Sequence, residues 1–338
     1  MGGSAFFGFA PVRCRHVVWV AFLVCLFVMS LGCLPEHRAV VGYNHGGEWQ
    51  PWQILETKTG QVLSLSEWLK DLGSYEIVYL GEEHHNKYHI EAAVKILRQL
   101  ISDGMQPTIG MEMFGWDGQP ALDEYLLKGQ AVNGEFLEQV RWKQNWGGAF
   151  EDYEPLVIFA RNQHLSIRAM NPPKSLIRRV VKLGLEQAKQ EAEWTQWEMQ
   201  QEEIVDDPGY RGRIVDQLRR CHGGGTDEDY RTMYEASMVR DEGMAKTLVA
   251  RLGELRRDMS GSRTMILSYT GGGHIQYNLP VPMRVARRLS GHVKQTTVYL
   301  TSFDRTRTND IQELMRERIA DYIMLTPMTG QRPPQRCG

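Results

Sequence analysis

The stretch that decides the fold reads "YEIVYLGEEHHNKYHIEAAVKIL" (Tyr75–Leu97). Its first part, Tyr75–Leu80, is an apolar run of the length of a buried strand. Its last part begins a helix over about Tyr88–Ile101, with Ile90, Val94, Leu97 and Ile101 on one face. Between the two stand Glu82, Glu83, His84 and His85, a block of carboxylates and imidazoles at the tip of a strand.

The alternation continues outward from there. "PTIGMEMF" (Pro107–Phe114) reads as a second strand, followed by helices at "ALDEYLL", "EFLEQVRW" and "YEPLVIFARNQ". "LSIRAMNPP" (Leu165–Pro173) is a third strand, stopped by two prolines. "RTMILSYTGGGH" (Arg263–His274) is a fourth, with a helix at "PMRVARRL" and strands at "VKQTTVYLTSF" and "ADYIMLT". Strands alternating with helices predict an α/β fold, a mostly parallel sheet flanked by helices. Upstream, Lys58-Thr59-Gly60 marks a turn between two short strands, and Ser64 opens a helix as its cap.

The rest divides as follows. Residues 53–173 form the first part of the α/β core and 256–328 the second. Residues 174–255 are strongly charged and read as a helical insertion, one or two long helices followed by another, suited to a lid or a dimer surface. Residues 329–338 form a tail. At the N-terminus, Arg13 and Arg15 precede the apolar run Val17–Met29 and then "SLGC" (Ser30–Cys33). This is the pattern of a signal peptide over residues 1–32, and the run is short of the ~20 residues that span a bilayer. Gly32-Cys33 matches a bacterial lipobox, although Ser30 replaces its usual Leu. The expectation is therefore a lipoprotein lipidated on Cys33, tethered through residues 33–52, in the bacterial cell envelope and at the outer membrane.

The totals set limits. A chain of 338 residues with net charge -2 and no block of Lys or Arg is not built for nucleic acid. Loss of Arg13 and Arg15 with the signal takes the charge from -2 to -4. Lipidation of Cys33 would leave Cys221 and Cys337, which read as incidental.

Function turns on position. Glu82 and His84 lie just past the first parallel strand, Glu112 at the end of the second, Asn171 at the end of the third and His274 after the fourth. Ligands of open parallel sheets bind at the carboxyl ends of the strands, so these side chains can converge on one crevice. Glu82, His84, Glu112 and His274 suit zinc, manganese or iron. "GEEH" (Gly81–His84) and "GGGH" (Gly271–His274) share the spacing G-x-x-H, with glycine allowing the turn off the strand. His85 and His89 stand four apart, but Asn86 follows His85 where a zincin carries its Glu. Asn86 reads instead as a helix cap and His89 as an ordinary surface residue. "GGGTDED" (Gly223–Asp229) lacks the alternating ligand spacing of a calcium loop.

Several segments in order, "LGEEHHNKYHIEAAVKIL", "GMEMF", "YEPLVIFA", "IRAMNPP", "MVRDEGMAKTL" and "GGGHIQYNLPVPMR", resemble the ChaN-like haem-binding uptake family. That family is related to the Tiki metalloproteases and the erythromycin-esterase-like proteins. The resemblance implies an α/β core with a helical subdomain, haem as ligand, a possible homodimer, and a role in bacterial haem-iron acquisition that could involve an outer-membrane haem receptor. Its shared pattern falls on Gly81, Glu82, His84, Glu112, Gly271 and His274.

Two functions follow. Under haem binding, Tyr277 or Tyr88 supplies a tyrosinate ligand, Arg284 pairs with a propionate, and His84 and His274 complete the cofactor site. Under the alternative, a metal-dependent hydrolase, Glu82, His84, Glu112 and His274 hold the metal, with Glu82 or Glu112 as catalytic base. No G-x-S-x-G elbow points to a covalent nucleophile.

Overall fold

The computed structural model describes residues 48–129, 134–221, 223–258, 261 and 263–330. The signal segment, its lipobox and Cys337 lie outside the described residues. So does most of the expected tether. An eight-stranded sheet runs in the order β2-β1-β8-β7-β3-β6-β4-β5. Its strands are β1 (Gln53–Glu56), β2 (Val62–Ser64), β3 (Ile77–Glu82), β4 (Met105–Gly115), β5 (Ile167–Asn171), β6 (Arg263–Gly271), β7 (Gln295–Phe303) and β8 (Tyr322–Pro327). The six from β8 to β5 are parallel, and the β1–β2 hairpin adds antiparallel to β8. The expected α/β class is therefore the one observed.

Helices of eight residues or more are numbered α1 (Leu65–Leu72), α2 (Lys87–Ser102), α3 (Gln119–Lys128), α4 (Glu154–Asn162), α5 (Lys174–Leu183), α6 (Pro208–Cys221), α7 (Asp227–Arg257), α8 (Val281–Arg288) and α9 (Thr308–Glu317). Local chemistry fixes several of their starts. The Ser64 side chain caps α1 in a capping box with Glu67, and Asn86 caps α2 by accepting from the Tyr88 N–H. Every residue of β3 is buried, as expected of a central parallel strand. Chain order reverses around it. β4 lies beyond β6 on one side and β7 adjoins it on the other, so the crevice at the ends of β3 and β6 is the sheet's switch point. The free edge of β5 is blocked by a side chain. Gln119 donates to Ile167 O at 2.9 Å and accepts from Ala169 N at 2.6 Å, occupying the groups another strand would use.

Four local expectations are corrected. The region after Pro173 is not one or two long helices. α5 ends at Gly184, whose φ of 77° suits glycine, and only short turns follow before α6. Residues 48–52, read as the end of a tether, are already packed. Trp49 is buried against Phe303, and the Trp52 N–H donates to Leu325 O at 2.6 Å. His89 is fully buried, accepting from the Glu83 N–H at 3.0 Å and bonding Thr326 at 3.1 Å. Burial, with Arg307 nearby, lowers its pKa to about 3, so it serves as a neutral core imidazole. Cys221 is not incidental either, because it is disulfide-bonded. The other four cysteines, Cys14, Cys25, Cys33 and Cys337, all lie outside the described residues.

Candidate functional site

The ends of β3, β4 and β6 bring Glu82, His84, Glu112 and His274 into one cluster. Glu82 accepts from Tyr153 Oη at 2.9 Å, from Tyr269 Oη at 2.5 Å and from His84 Nδ1 at 2.8 Å. Glu112 accepts from the Gly271 N–H at 2.6 Å, and its other oxygen lies 3.1 Å from His274 Nε2. A register shift against β5 between Met111 and Gly115 carries Glu112 off the regular ladder. Asn171 meets the carbonyl freed there, donating to Glu112 O at 2.6 Å.

The two glycine-led turns interlock. β3 and β6 pair with Glu82 opposite Gly271. A β-carbon on Gly271 would lie 2.7 Å from His84 Cε1, and one on Gly81 would lie 2.5 Å from Ile275 Cγ1. Neither position has room for a side chain, and that is the physical content of the shared G-x-x-H spacing.

A second layer stands behind His274. Its Nδ1 lies 2.6 Å from Asp241 Oδ1, and Tyr210 Oη donates to the same carboxylate. With a carboxylate facing each nitrogen, the ring is held doubly protonated. Burial opposes that charge, but Glu112 and Asp241 outweigh it and raise the pKa of His274 to about 10. Burial likewise opposes the charge of Glu112, yet His274 and His84 hold its carboxyl well below the usual range. Glu82 is raised by burial despite its three donors. His84 is raised as well, since the Glu82 hydrogen bond and the charge of Glu112 overcome its desolvation. His84 remains partly exposed and packs edge-on against Trp146 at 4.9 Å.

Tyr277 and Arg284 sit elsewhere. Tyr277 donates to Glu317 at 2.7 Å and lies under the Arg213 guanidinium, 3.6 Å from its ring. It lines a polar cavity with Gln217, Arg220 and Glu313 rather than the cluster. Arg284 is wholly buried, 3.2 Å from Glu242 and stacked over Tyr210 at 4.5 Å. It has no exposed face to offer a propionate. Sequence reasoning missed Asp241, Tyr153, Tyr210 and Tyr269. For Asp241 a signal existed, because "MVRDEGMA" (Met238–Ala245) sets two acids among apolar residues at helical spacing.

The donor set explains why the metal expectation finds no site. Among the described residues no group of three His, Cys, Asp or Glu is placed to hold a metal ion. Both carboxylates of the cluster are occupied by hydrogen bonds from the protein. Both His274 nitrogens are spent on acids, leaving no lone pair for a cation.

Beside the cluster opens a slot of about 270 Å³ that reaches Gly273 and His274. Three helices wall it with stripes at helical spacing. Ile177 and Val181 come from α5, Tyr210, Ile214, Gln217 and Leu218 from α6, and Met233, Ala236, Ser237, Arg240 and Asp241 from α7. Its polarity changes along its length. The far end is apolar, with Val181 39% exposed, one of two large apolar side chains left open among the described residues. Arg240 is the cation among its lining residues, and Lys174 opens α5 one turn before Ile177 without lining the slot. Burial and the charges of Arg240 and Arg178 depress the Lys174 ammonium. Arg240 in turn acts on the Glu112 carboxylate, helping to keep it charged. Cavities of about 330 and 530 Å³ lie outside the crevice and touch none of the cluster.

An open parallel sheet with a polar cluster at its switch point and a helical slot above defines a ligand-binding α/β protein. Residues 68–285, well over half the chain, match the family described as "Haem-binding uptake, Tiki superfamily, ChaN", and the chain belongs to that family. Among solved structures, the chain is similar to the one titled "Cofacial heme binding to ChaN of Campylobacter jejuni". The TM-score is 0.61 and the identity 18%, covering 82% of this chain and 97% of that one. At that identity the likeness establishes the fold. A structure titled as an erythromycin esterase EreC mutant matches with TM-score 0.38 and 14% identity, over 70% of this chain and 72% of that one. Among curated proteins, none matches.

Proposed function

We propose that this chain binds haem in the slot between α5, α6 and α7, as an envelope protein serving haem-iron uptake. The observation that carries the reading is the slot's polarity. Haem is a flat apolar macrocycle with two carboxylates on one edge. The slot has apolar walls and carries the Arg240 guanidinium among its lining residues. Small-molecule sites enclose roughly 300–1,000 Å³. At about 270 Å³ the slot falls just below that range, so it would take one face or edge of a planar guest whose outer edge stays near the exposed Val181.

The cluster supports the slot rather than supplying a ready ligand. His274, both nitrogens engaged, braces the floor through Asp241 and Tyr210. His84 has its Nδ1 held by Glu82, which aims its other nitrogen, the arrangement that orients a ligating imidazole. Bound haem would supply iron whose transfer, rather than any bond-breaking step, is the function. Family membership favours a homodimer meeting at the slot mouth and an outer-membrane haem receptor as partner. The lipobox favours anchoring through Cys33.

Titration of the detergent-solubilised full chain with haemin, followed by visible absorbance, tests the reading. A saturable spectral shift at about micromolar affinity, ~8 kcal/mol of binding, is expected. A spectrum that only sums free haemin and protein would overturn it.

A further inference from the structure

We infer that the cavity of about 330 Å³ beside β5 is a second small-molecule site, separate from the slot between α5, α6 and α7, and that it takes an aromatic carboxylate. The inference goes beyond the haem-binding reading and does not depend on it. The cavity lies between β5, α7, Trp116 just past β4 and the turn that carries Trp197. Its volume falls within the roughly 300–1,000 Å³ of small-molecule sites, at the end that suits one or two fused rings rather than a macrocycle.

The aromatic wall is built in advance. The Trp116 and Trp197 rings stand 6.2 Å apart at 50°, an open wedge rather than a stack. Consecutive residues of α7 hold them. Thr247 Oγ1 accepts from Trp116 Nε1 at 2.9 Å, and Lys246 Nζ donates to the backbone oxygens of Trp197 at 3.2 Å and Glu198 at 3.1 Å. Glu198 has φ of 54°, a left-handed conformation that a residue other than glycine adopts at a cost, so the turn is kept in place against strain. Both indoles are half-buried. A flat ring can rest against them in the tilted and offset contacts that aromatic groups prefer.

The polar wall is short of one acid. Arg168 and Arg251 both pair with Glu254, at 3.0 and 2.8 Å, and among the described residues it is the carboxylate they share. Arg251 turns its other nitrogens to the Thr108 hydroxyl. Arg168 Nε is buried with no hydrogen-bond partner among the described residues, and a buried donor left without an acceptor calls for an explanation. Two guanidiniums on one carboxylate leave one positive charge. A ligand carboxylate supplies both the missing charge and the missing acceptor. Lys246, by contrast, is occupied by the turn and by Glu202 at 3.6 Å. The other acid of the lining, Glu198, has an exposed side chain that solvent and salt screen.

The test is isothermal titration calorimetry of the detergent-solubilised full chain with 2-naphthoate and with its uncharged counterpart 2-naphthalenemethanol, protein-free detergent being subtracted. Each is repeated with Trp197→Ala and Arg168→Gln, with circular dichroism confirming the fold. The naphthoate is expected to bind saturably at about 0.1–1 mM and the alcohol at least tenfold more weakly. Each substitution should weaken the naphthoate by about tenfold, and Arg168→Gln should leave the alcohol unchanged. No saturable heat with naphthoate, or binding that either substitution leaves unchanged, would overturn the inference. Equal affinity for acid and alcohol would overturn the carboxylate assignment. Displacement of the naphthoate by haemin would place both in one site and overturn the separation of the two. A loss of haemin binding to the wild type alone, with the naphthoate results as expected, would count against the haem reading and leave this site standing.

Discussion

The His84 imidazole rests against the α-carbon of Gly271, so close that a β-carbon there would meet its Cε1 at 2.7 Å. Two segments nearly two hundred residues apart in the chain thus share one contact. Gly271→Ala is expected to displace His84 from Glu82 and cost about 1–3 kcal/mol, the usual penalty of overpacking. Thermal melting and the His84 ring signals in NMR would check this. An unmoved ring would mean that the β6 turn yields instead.

The Asp241–His274–Glu112 arrangement predicts a pH dependence. The folded pKa of His274, about 10, lies above its ordinary 6.5. Its contribution is therefore complete below pH 6.5 and is lost as pH rises through 10. Glu112 is shifted the opposite way, so its contribution is present above 4.5 and is lost as pH falls through its lower folded value. Stability should decline on the alkaline side in the wild type. His274→Gln should lower stability at neutral pH by about 3–5 kcal/mol, as when a buried ion pair loses one partner. The variant's alkaline limb should also be flatter. Denaturant midpoints from pH 5 to 11 measure both effects.

Arg284 separates a structural role from a binding role. It is wholly buried against Glu242, which also pairs with Arg287 at 2.7 Å and Arg288 at 2.8 Å. Arg284→Gln is expected to cost about 2–3 kcal/mol, below the full penalty of breaking a buried pair because Glu242 keeps two partners. Haemin affinity of the folded variant should be unchanged. A selective loss of affinity at unchanged melting temperature would restore Arg284 as a ligand contact.

Cysteine chemistry gives a test of the envelope reading. Cys221 is disulfide-bonded; if Cys33 is lipidated and the signal removed, Cys337 is the cysteine left to pair with it. Non-reducing peptide mapping should then link the peptides carrying Cys221 and Cys337, and Cys33→Ser should release the chain from membranes. A Cys33–Cys221 link would contradict the lipid anchor outright.

Much of this was legible in the sequence, for reasons that can be named. β3 announced itself as an apolar run with a capped amphipathic helix behind it. The strand-end rule brought Glu82, His84, Glu112 and His274 together from four separate segments. His89 was misread from its residue type alone, since Ala92, Ala93 and Ile96 on the same face of α2 are apolar and buried, and Thr326 of β8 covers it. Tyr277 and Arg284 lie away from the cluster because the two turns after His274 are not fixed by local pattern. Tyr277 and Asn278 both have φ of 59°, which redirects the chain. The slot itself could not be read, since it needs three helices whose mutual packing no local spacing reports.

The most direct test of the central claim is to fill the slot. Ser237 lines it from α7, and Ser237→Trp places an indole where the macrocycle is proposed to lie. Haemin titration of this variant, with its fold confirmed by circular dichroism, is expected to lose the saturable spectral shift. An undiminished shift in a folded Ser237→Trp protein would show that haem is held elsewhere.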